Sequence, residues 1–533
     1  MPFSARLSVL TRNRRLRFTA ATALCLLPLA AASPVRAETT PPQYVATAIP
    51  AGQIEAAIAS LDATAADILA RSGVPGMSIA VVREGKLVYA KGFGVRKAGD
   101  PAPVDADTVF QIASLSKSVA ATVVAHQVGA GVVAWDTPLV RHLPWFRLSD
   151  PWVGSHVTIA DMFSHRSGLP DHAGDHLEDL GFDRNAILER LRLVPLSPFR
   201  STYAYTNFGL TAGAEAVAVA SGQSWEDLSD AVLYKPLGMA STSSRLADFE
   251  RQPNRALLHV KVGEAFQPKF TRQPDAQAPA GGVSSSVNDL ARWMALVLAN
   301  GNQDGRTLIP EAALLPAARA EIVSSPSKVM DARPSMYGYG MGVSVTASGR
   351  VMLSHSGAFS SGAATTYHML PSLKLGIIVL TNAEPTGAPE AVAADFIDRV
   401  ETGRVSRDWY AAFHPIMAQL NAPVGSLAGK TPPSTPQGSA PLEALVGTYA
   451  DPYYGRATIA RSGAGLELTL GPAGQRYALS HWDGNTFAFS PSGENEPLGS
   501  RAALTFETGP RGKVRDFRID YLDEAGQSRF MRQ

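Results

Sequence analysis

The stretch FQIASLSKSVAATVVAHQVG, residues 110–129, is the strongest indication in this sequence of both its fold and its chemistry. It places Ser114 where an apolar helix begins and Lys117 one turn later, so both side chains project from one face. The partial positive charge and free N–H groups of a helix N-terminus stabilise an alkoxide and a tetrahedral oxyanion. A lysine can accept the serine proton once burial or a neighbouring cation has lowered its pKa. We therefore expect Ser114 to be a nucleophile and Lys117 its base.

Two observations limit this motif when it is taken alone. An N-cap serine followed by a solvated lysine would give the same pattern. A second Ser-x-x-Lys, from Ser325 to Lys328, contains Pro326 and precedes no apolar helix, so we expect a chance match in a loop. The interpretation of Ser114 therefore depends on further motifs.

Tyr205-Thr206-Asn207 is a second candidate motif, because Tyr205 alone among fourteen tyrosines begins a Tyr-x-Asn. A phenol beside an ammonium group has a lowered pKa and can act as a base toward the serine. Asn207 can donate its amide to a substrate carbonyl and orient the lysine. A core tyrosine in an aromatic loop is the alternative.

His355-Ser356-Gly357, followed by Ala358, is the third motif and begins within an apolar strand. Gly357 would let a substrate backbone lie against the strand edge. His355 can form hydrogen bonds or, if protonated, pair with a substrate carboxylate. His172-Ala173-Gly174 fits the same pattern but lies in a loop before the tyrosine motif, so we favour His355.

A metal site is the other chemistry that the histidines suggest. His172 and His176 are four residues apart, beside Asp171 and Asp175, a spacing that could hold zinc on a helix. Nearby glycine and proline indicate a loop instead, so we do not expect a metal at these histidines.

Composition and the N-terminus indicate an exported protein with no nucleic-acid surface. Residues 1–37 combine a basic start, an apolar run at 18–32 and Val35-Arg36-Ala37 at a cleavage position, as in a signal peptide. Six of the 48 basic residues and none of the 47 acidic ones lie in that segment, so the mature chain would be slightly acidic. The one cysteine, Cys25, lies there too, which excludes disulfides and thiolate chemistry after cleavage. We expect a periplasmic or secreted protein without a stable membrane span.

The order of elements predicts an α+β domain followed by an all-β domain. A helix is expected over 54–71, strands near both ends of the first domain, and a mostly helical insert over about 130–270. About eight short alternating runs after residue 442 predict a small antiparallel barrel. The expected domains are a signal peptide (1–37), a leader (38–53), a first domain (54–420), a linker (421–441) and a barrel (442–533).

Together these motifs resemble the serine β-lactamase and penicillin-binding-protein-like family, in particular its class C, D-aminopeptidase and esterase branch. The resemblance covers about residues 55–400. Besides the three motifs it includes FQIAS at 110–114, VTIADMFSHRSGLP at 157–170, LGMAST at 237–242 and AGGVSSSVND at 280–289.

The resemblance implies an antiparallel sheet flanked by helices, a helical insert, and a site between them. It implies that Ser114 is acylated, that Lys117 and Tyr205 shuttle the proton and that Asn207 holds the substrate amide. The oxyanion hole would be the backbone N–H groups of Ser114 and Ala358. The resemblance also implies that no metal or cofactor is needed.

The sequence departs from many penicillin-active relatives at His355, where they carry lysine. The resemblance therefore implies a hydrolase of amide bonds in small, D-residue-containing peptides, with esters and β-lactams as alternatives. A non-catalytic module that binds peptidoglycan fragments or a protein is the alternative from another class. The barrel resembles the lipocalin-like appendage of related peptidases. The oligomeric state is not predicted.

Overall fold

The computed structural model describes residues 47–509, 513–523 and 526–533. The predicted signal peptide and most of the predicted leader lie outside the described residues. Among the helices of the described part, none is long and apolar enough to cross a bilayer.

The first domain holds most of the helices. In chain order the helices are α1 (Gln53–Ala59), α2 (Leu61–Ser72), α3 (Leu115–Gly129), α4 (Pro151–His156), α5 (Ile159–Phe163), α6 (Asp175–Asp179), α7 (Arg184–Arg190), α8 (Asn207–Ser221), α9 (Trp225–Ser229), α10 (Lys235–Leu237), α11 (Leu246–Arg251), α12 (Ala278–Gly281), α13 (Val287–Leu298), α14 (Glu311–Ala318), α15 (Ala388–Thr402), α16 (Trp409–Met417) and α17 (Leu442–Leu445).

The strands divide between a large sheet, three two-stranded pairs and a barrel. In chain order they are β1 (Gly76–Arg83), β2 (Lys86–Gly94), β3 (Phe110–Gln111), β4 (Val260–Val262), β5 (Ala265–Gln267), β6 (Ser284–Ser285), β7 (Asn302–Gln303), β8 (Arg306–Thr307), β9 (Ile322–Ser325), β10 (Ser335–Tyr337), β11 (Gly342–Val345), β12 (Val351–Phe359), β13 (Ala363–Leu370), β14 (Leu375–Thr381), β15 (Gly447–Asp451), β16 (Gly455–Ser462), β17 (Gly465–Leu470), β18 (Gln475–Asp483), β19 (Thr486–Phe489), β20 (Ala502–Thr508), β21 (Val514–Ile519) and β22 (Arg529–Arg532).

The large sheet is antiparallel, with the order β2-β1-β14-β13-β12-β11-β10-β9. Both of its faces are covered, because successive side chains of a strand point to opposite faces. In β1, Ile79 and Val81 pack with α1, α2 and α15, whereas Ala80 and Val82 belong to the core that includes α3 and α13. The helical insert between β2 and β9 lies on the α3 side. This confirms the predicted α+β architecture.

The C-terminal strands β15 to β22 form a closed antiparallel barrel. Alternate positions of its strands point inward, and Tyr449, Leu468, Phe517 and Phe530 are fully buried there. This confirms the predicted barrel; its likeness to lipocalins stays a prediction.

Two local predictions differ from the structure. The helix expected over 54–71 is two helices, α1 and α2, that meet at Ser60 without a glycine or proline to mark the break. The stretch expected to be a linker has no long element of its own, yet it is held against the barrel. The backbone N–H of Val424 donates to Ser500 Oγ at 3.0 Å, and Leu427 is buried beside Trp482.

The barrel packs on the helical insert near α6 and α7. The backbone N–H of Ala473 donates to the Leu180 carbonyl at 3.3 Å, and Arg190 Nε donates to the Tyr453 carbonyl at 3.1 Å. The loop between β19 and β20 is therefore brought to the mouth of the first domain.

Candidate active site

Ser114 lies on a sharp turn that leads from β3 into α3. Ala113 has a φ of 48°, which is unusual for a residue with a Cβ and costs about 1 kcal/mol or more. Ser114 follows as the N-cap of α3, and its side chain caps no backbone N–H of its own helix. The turn is fixed by β6, because β3 pairs with it and the Ile112 N–H donates to the Val283 carbonyl at 3.0 Å. The hydroxyl is thus free for contacts across the cleft.

Lys117 and Tyr205 converge on the Ser114 hydroxyl from two distant segments. Lys117 Nζ lies 2.9 Å from Ser114 Oγ, and the Tyr205 hydroxyl donates to the same oxygen at 2.8 Å. Lys117 Nζ also lies 2.7 Å from Asn207 Oδ1 and 2.9 Å from the Ala280 carbonyl oxygen. The solvated lysine that the sequence left open is therefore not what the structure shows, since Lys117 is fully buried.

Burial determines which group, the Lys117 amine or the Tyr205 phenol, loses its proton first as the pH rises. It lowers the pKa of Lys117 to about 7, against a smaller opposing effect of the Asp175 charge. It raises the pKa of Tyr205 well above its usual value, and the contact with Ser114 offsets only part of this. The predicted lowering of the phenol pKa by an adjacent ammonium is therefore wrong, because both groups are desolvated together and the amine loses its charge first.

Asn207 is held by a carboxylate that the sequence suggested only as a metal ligand. It begins α8, where the Thr206 side chain caps Gly209 N–H. Its Nδ2 donates to Asp175 Oδ2 at 2.9 Å, which leaves Oδ1 facing Lys117. His172 Nδ1 lies 2.8 Å from the same Asp175 oxygen. Asp175 therefore fixes the amide that orients the lysine.

His172 and His176 do not form the zinc site that their spacing suggested. His172 contacts Asp175 on the cleft side, whereas His176 Nδ1 lies 3.0 Å from Glu496 Oε1 of the barrel. His176, Asp179 and Glu496 are close enough to share an ion, and they join the barrel to the insert.

The His355 ring is neutral, and each of its two nitrogens has a hydrogen-bond partner. Its Nδ1 lies 2.7 Å from the Ser356 carbonyl oxygen, so Nδ1 carries the proton and Nε2 accepts from the Tyr337 hydroxyl at 2.8 Å. Enclosure by its neighbours, with a smaller contribution from the Lys117 charge, lowers the pKa of His355 to about 3. Of the two roles that the sequence left open for His355, hydrogen bonding therefore fits this arrangement, whereas pairing of a protonated ring with a substrate carboxylate does not fit near neutral pH.

Gly357 brings the edge of β12 against the start of α3. A Cβ at this position would lie 2.8 Å from Ser114 N and 2.6 Å from the Ile112 carbonyl oxygen, so only glycine fits without a shift. The neighbouring strand β11 pairs with β12 only as far as Ser354, and residues 355–359 extend beyond it. Ala358 lines the cleft beside Ser114. The oxyanion roles of the Ser114 and Ala358 N–H groups stay predictions.

The cleft is a cavity of about 560 Å³ with walls from both domains. One wall is the segment 417–424 and the β19–β20 loop of the barrel, which sequence reasoning did not place here. The lining residues are Ser114, His172, Asp175, Tyr203, Tyr205, Asn207, Arg272, Gln277, Ser356, Ala358, Phe359, Ser360, Met417, Gln419, Leu420, Ala422, Val424, Glu494, Asn495 and Pro497.

The barrel loop is held in the cleft by buried charges. Glu494 accepts from Ser361 Oγ at 2.6 Å and lies 3.7 Å from Arg272 Nε. Arg272 also pairs with Glu178. Asp179 accepts from the backbone N–H of Glu494 at 3.0 Å. Burial raises the pKa of Glu494 to about 7, against the opposing effect of Arg272.

Family models match both domains of the chain. Residues 61–402 match the family model described as Beta-lactamase, and residues 431–531 match a model described as a domain of unknown function, DUF3471. The chain belongs to the Beta-lactamase family, and it is a serine hydrolase by that membership.

Several relatives of this chain are named as hydrolases of different kinds. The chain is 26% identical over 407 residues to Unguisins hydrolase ungD' of Aspergillus campestris, covering 72% of this chain and 74% of the relative. It is 31% identical over 280 residues to Esterase EstB of Burkholderia gladioli, covering 45% and 70%. It is 23% identical over 330 residues to the D-alanyl-D-alanine-carboxypeptidase/endopeptidase AmpH of Escherichia coli, covering 61% and 84%.

Solved structures show the same fold. The octameric penicillin-binding protein homologue from Pyrococcus abyssi matches with a TM-score of 0.57 at 19% identity, covering 89% of this chain and 100% of that one. The crystal structure of SurE matches with a TM-score of 0.52 at 22% identity, covering 90% and 100%.

Proposed function

We propose that this protein is an exported hydrolase that forms an acyl-enzyme on Ser114 and acts on amide bonds of small peptides, including those with D-residues. The observation that carries the proposal is the position of Ser114 Oγ, within 2.9 Å of Lys117 Nζ and 2.8 Å of the Tyr205 hydroxyl. A hydroxyl in this position can lose its proton to the buried amine, and the buried phenol can then pass a proton to the leaving group.

Acylation begins with Lys117 in its neutral form. The amine donates to Asn207 Oδ1 and to the Ala280 carbonyl, and its lone pair takes the Ser114 proton. Ser114 Oγ then bonds to the substrate carbonyl carbon, and the carbonyl oxygen becomes an oxyanion that accepts hydrogen bonds from the backbone N–H groups of Ser114 and Ala358.

Collapse of that intermediate breaks the C–N bond. The Tyr205 hydroxyl protonates the leaving nitrogen, and the lysine ammonium restores the phenol proton. Water then attacks the ester carbon, gives its proton to the same pair of groups and releases the acid with Ser114 as a hydroxyl. The overall change is amide plus water to acid plus amine.

Peptide amides are favoured by the names of two relatives, and the neutral His355 argues against recognition through a substrate carboxylate. The relatives include proteins named Unguisins hydrolase and D-alanyl-D-alanine-carboxypeptidase/endopeptidase. The neutral His355 supplies no positive charge for a substrate carboxylate. Ester hydrolysis by the same serine is the second candidate, which the 31% identity to an esterase supports.

A panel of small peptide amides, esters and β-lactams tests the proposal. We expect release of product from amides of D- or L-alanine by the native protein and none by Ser114→Ala. Retained turnover in Ser114→Ala would reject the assignment. No turnover of any substrate would favour the non-catalytic binder, which the intact contacts of Ser114, Lys117 and Tyr205 count against.

Export is a separate part of the proposal and rests on residues 1–37 alone. We expect the protein recovered from a periplasmic or secreted fraction to begin at Glu38. A chain that keeps its first 37 residues in that fraction, or that stays inside the cell, would contradict it. N-terminal sequencing of the recovered protein gives the answer.

A further inference from the structure

The end of β12 beside the nucleophile has a strand partner on one side only. On that side β13 pairs with every residue from His355 to Phe359. On the other side β11 pairs with β12 only as far as Ser354. The unpaired side belongs to the segment that carries the Ala358 N–H, which the proposed function uses in the oxyanion hole. Because an oxyanion donor must be held within about 0.5 Å of its place, this segment needs support from outside the sheet ladder.

The Tyr337 side chain supplies a contact from the unpaired side. Its hydroxyl donates to His355 Nε2 at 2.8 Å, and His355 is the first residue of β12 beyond the end of β11. The backbone of Tyr337 is fixed in the sheet, since β10 pairs with both β9 and β11 at this residue. Tyr337 is only 5% exposed, so water competes little for its hydrogen bond. The contact therefore runs from a well-held strand, past the end of β11, to the part of β12 that β11 does not reach.

The His355 ring passes this contact on to the backbone of its own strand. Its Nδ1 lies 2.7 Å from the Ser356 carbonyl oxygen, which can only accept, so Nδ1 carries the proton and Nε2 has one lone pair for the Tyr337 hydroxyl. Both ring nitrogens are thus used within the protein. His355 is also not one of the described residues that line the cavity. The ring is therefore placed to connect Tyr337 with β12, and not to bind a substrate.

The same pair of rings packs near the catalytic phenol. The ring centroids of His355 and Tyr205 are 6.4 Å apart. Tyr337 packs at 5.2 Å against the ring of His165, which in turn lies 4.6 Å from Tyr205. Rings at these distances pack against one another. A shift of Tyr337 and His355 would therefore be felt both at the end of β12 and at the phenol.

We propose that Tyr337 is a positioning residue for the acylation of Ser114, because it holds the unpaired end of β12, through His355, at the distance where the Ala358 N–H meets the oxyanion. This inference rests on the proposed function, since it concerns the same acylation step. It assigns His355 to the support of the strand in place of substrate binding. Loss of the support lowers the rate of the chemical step and leaves the affinity for the ligand unchanged.

Labelling of Tyr337→Phe by a fluorophosphonate tests this inference. The dependence of the labelling rate on probe concentration separates the apparent affinity for the probe from the maximal rate at Ser114. We expect the maximal rate to fall about tenfold at unchanged affinity, because phenylalanine fills the same space but donates no hydrogen bond. The matched control is Tyr449→Phe, which removes a buried hydroxyl that donates to the Leu445 carbonyl in the barrel.

The outcomes separate this inference from the proposed function. Absence of any label on Ser114 of the native protein would reject the proposed function and this inference with it. Labelling of the native protein and of Tyr337→Phe at the same maximal rate would overturn this inference alone. A loss confined to probe affinity would overturn it as well, because it would place the pair in ligand binding.

Two substitutions of His355 give a test that does not depend on the folding of Tyr337→Phe. The amide oxygen of His355→Gln can accept from the Tyr337 hydroxyl, whereas the side chain of His355→Leu cannot. We expect His355→Gln to be labelled several-fold faster than His355→Leu, and the two to be equally slow when combined with Tyr337→Phe. Thermal unfolding of each variant shows whether it is folded. Equal maximal rates for His355→Gln and His355→Leu would overturn the inference.

Discussion

Lys117 makes three contacts that an ammonium and a neutral amine use differently. An ammonium would donate to Ser114 Oγ, Asn207 Oδ1 and the Ala280 carbonyl at once. A neutral amine donates to two acceptors and directs its lone pair to the serine. Because burial lowers the lysine pKa to about 7, the second arrangement is populated near neutral pH. The residue that sets the working pH is therefore Lys117.

The rate of Ser114 acylation should rise with pH through the lysine pKa. The neutral fraction grows as pH increases, so below pH 7 the labelling rate by a fluorophosphonate should fall about tenfold per pH unit. Above pH 8 it should level off. Stopped-time labelling from pH 5 to 9 measures this, with thermal unfolding at each pH as control. A rate that is flat or falls between pH 6 and 8 would assign the base to another group.

Tyr205→Phe should separate the two proton-transfer roles. The phenol stays protonated, so its loss should lower amide turnover by about 100-fold or more, because the leaving nitrogen must be protonated. A p-nitrophenyl ester, whose leaving group needs no proton, should be affected far less. Lys117→Ala should lower the turnover of both the amide and the ester. Equal losses of ester and amide turnover in Tyr205→Phe would indicate that the phenol acts as the base.

At the scale of elements, the site depends on how closely β12 approaches the start of α3. Gly357 lets the strand edge lie against Ser114 N, and the short helix α12 supplies the Ala280 carbonyl that Lys117 uses. The positive φ of Ala113 turns the serine toward this edge. The edge of β12, the helix α12 and the turn at Ala113 thus determine together where a substrate carbonyl lies when Ser114 attacks it.

Gly357→Ala should impair acylation by moving β12. The added methyl meets Thr365 Oγ1, the Ile112 carbonyl and Ser114 N, so the strand must shift. Overpacking of this kind costs about 1–3 kcal/mol of stability, and we expect a lower rate of Ser114 labelling in protein that is still folded. Gly438→Ala, at a position with open space, is the control. An unchanged labelling rate with Gly357→Ala would show that the strand edge has no part in acylation.

At the scale of the whole molecule, the barrel is part of the active-site wall. Its loop between β19 and β20 enters the cleft, and Glu494 joins it to Arg272 and Ser361. Asp179 of the insert binds the same loop by accepting a hydrogen bond from the backbone N–H of Glu494. Substrate size is therefore set by two domains together.

Glu494→Ala should loosen that wall. We expect a loss of about 1–3 kcal/mol in the free energy of unfolding, because Ser361 and Arg272 lose a buried partner. Amides with bulky leaving groups should gain in kcat/KM relative to small ones. Glu443→Ala, whose side chain is 77% exposed, is the control. Unchanged selectivity in a destabilised Glu494→Ala protein would limit the loop to a structural role.

The sequence predicted what local geometry fixes and missed what tertiary packing decides. The pairing of Ser114 with Lys117 follows from helix periodicity, and the barrel follows from short alternating runs. The order of the lysine and tyrosine pKa values depends on burial by distant segments, which spacing does not reveal. The roles of Asp175, at the start of α6, and of Glu494, in a loop, were hidden for the same reason, since the partners of each come from far along the chain.

Peptide mapping after treatment with a fluorophosphonate would identify the side chain that this protein uses as its nucleophile. We expect one adduct, on Ser114, whose formation is abolished in Ser114→Ala and strongly slowed in Lys117→Ala. An adduct on a different residue, or labelling at Ser114 that is indifferent to Lys117, would contradict it.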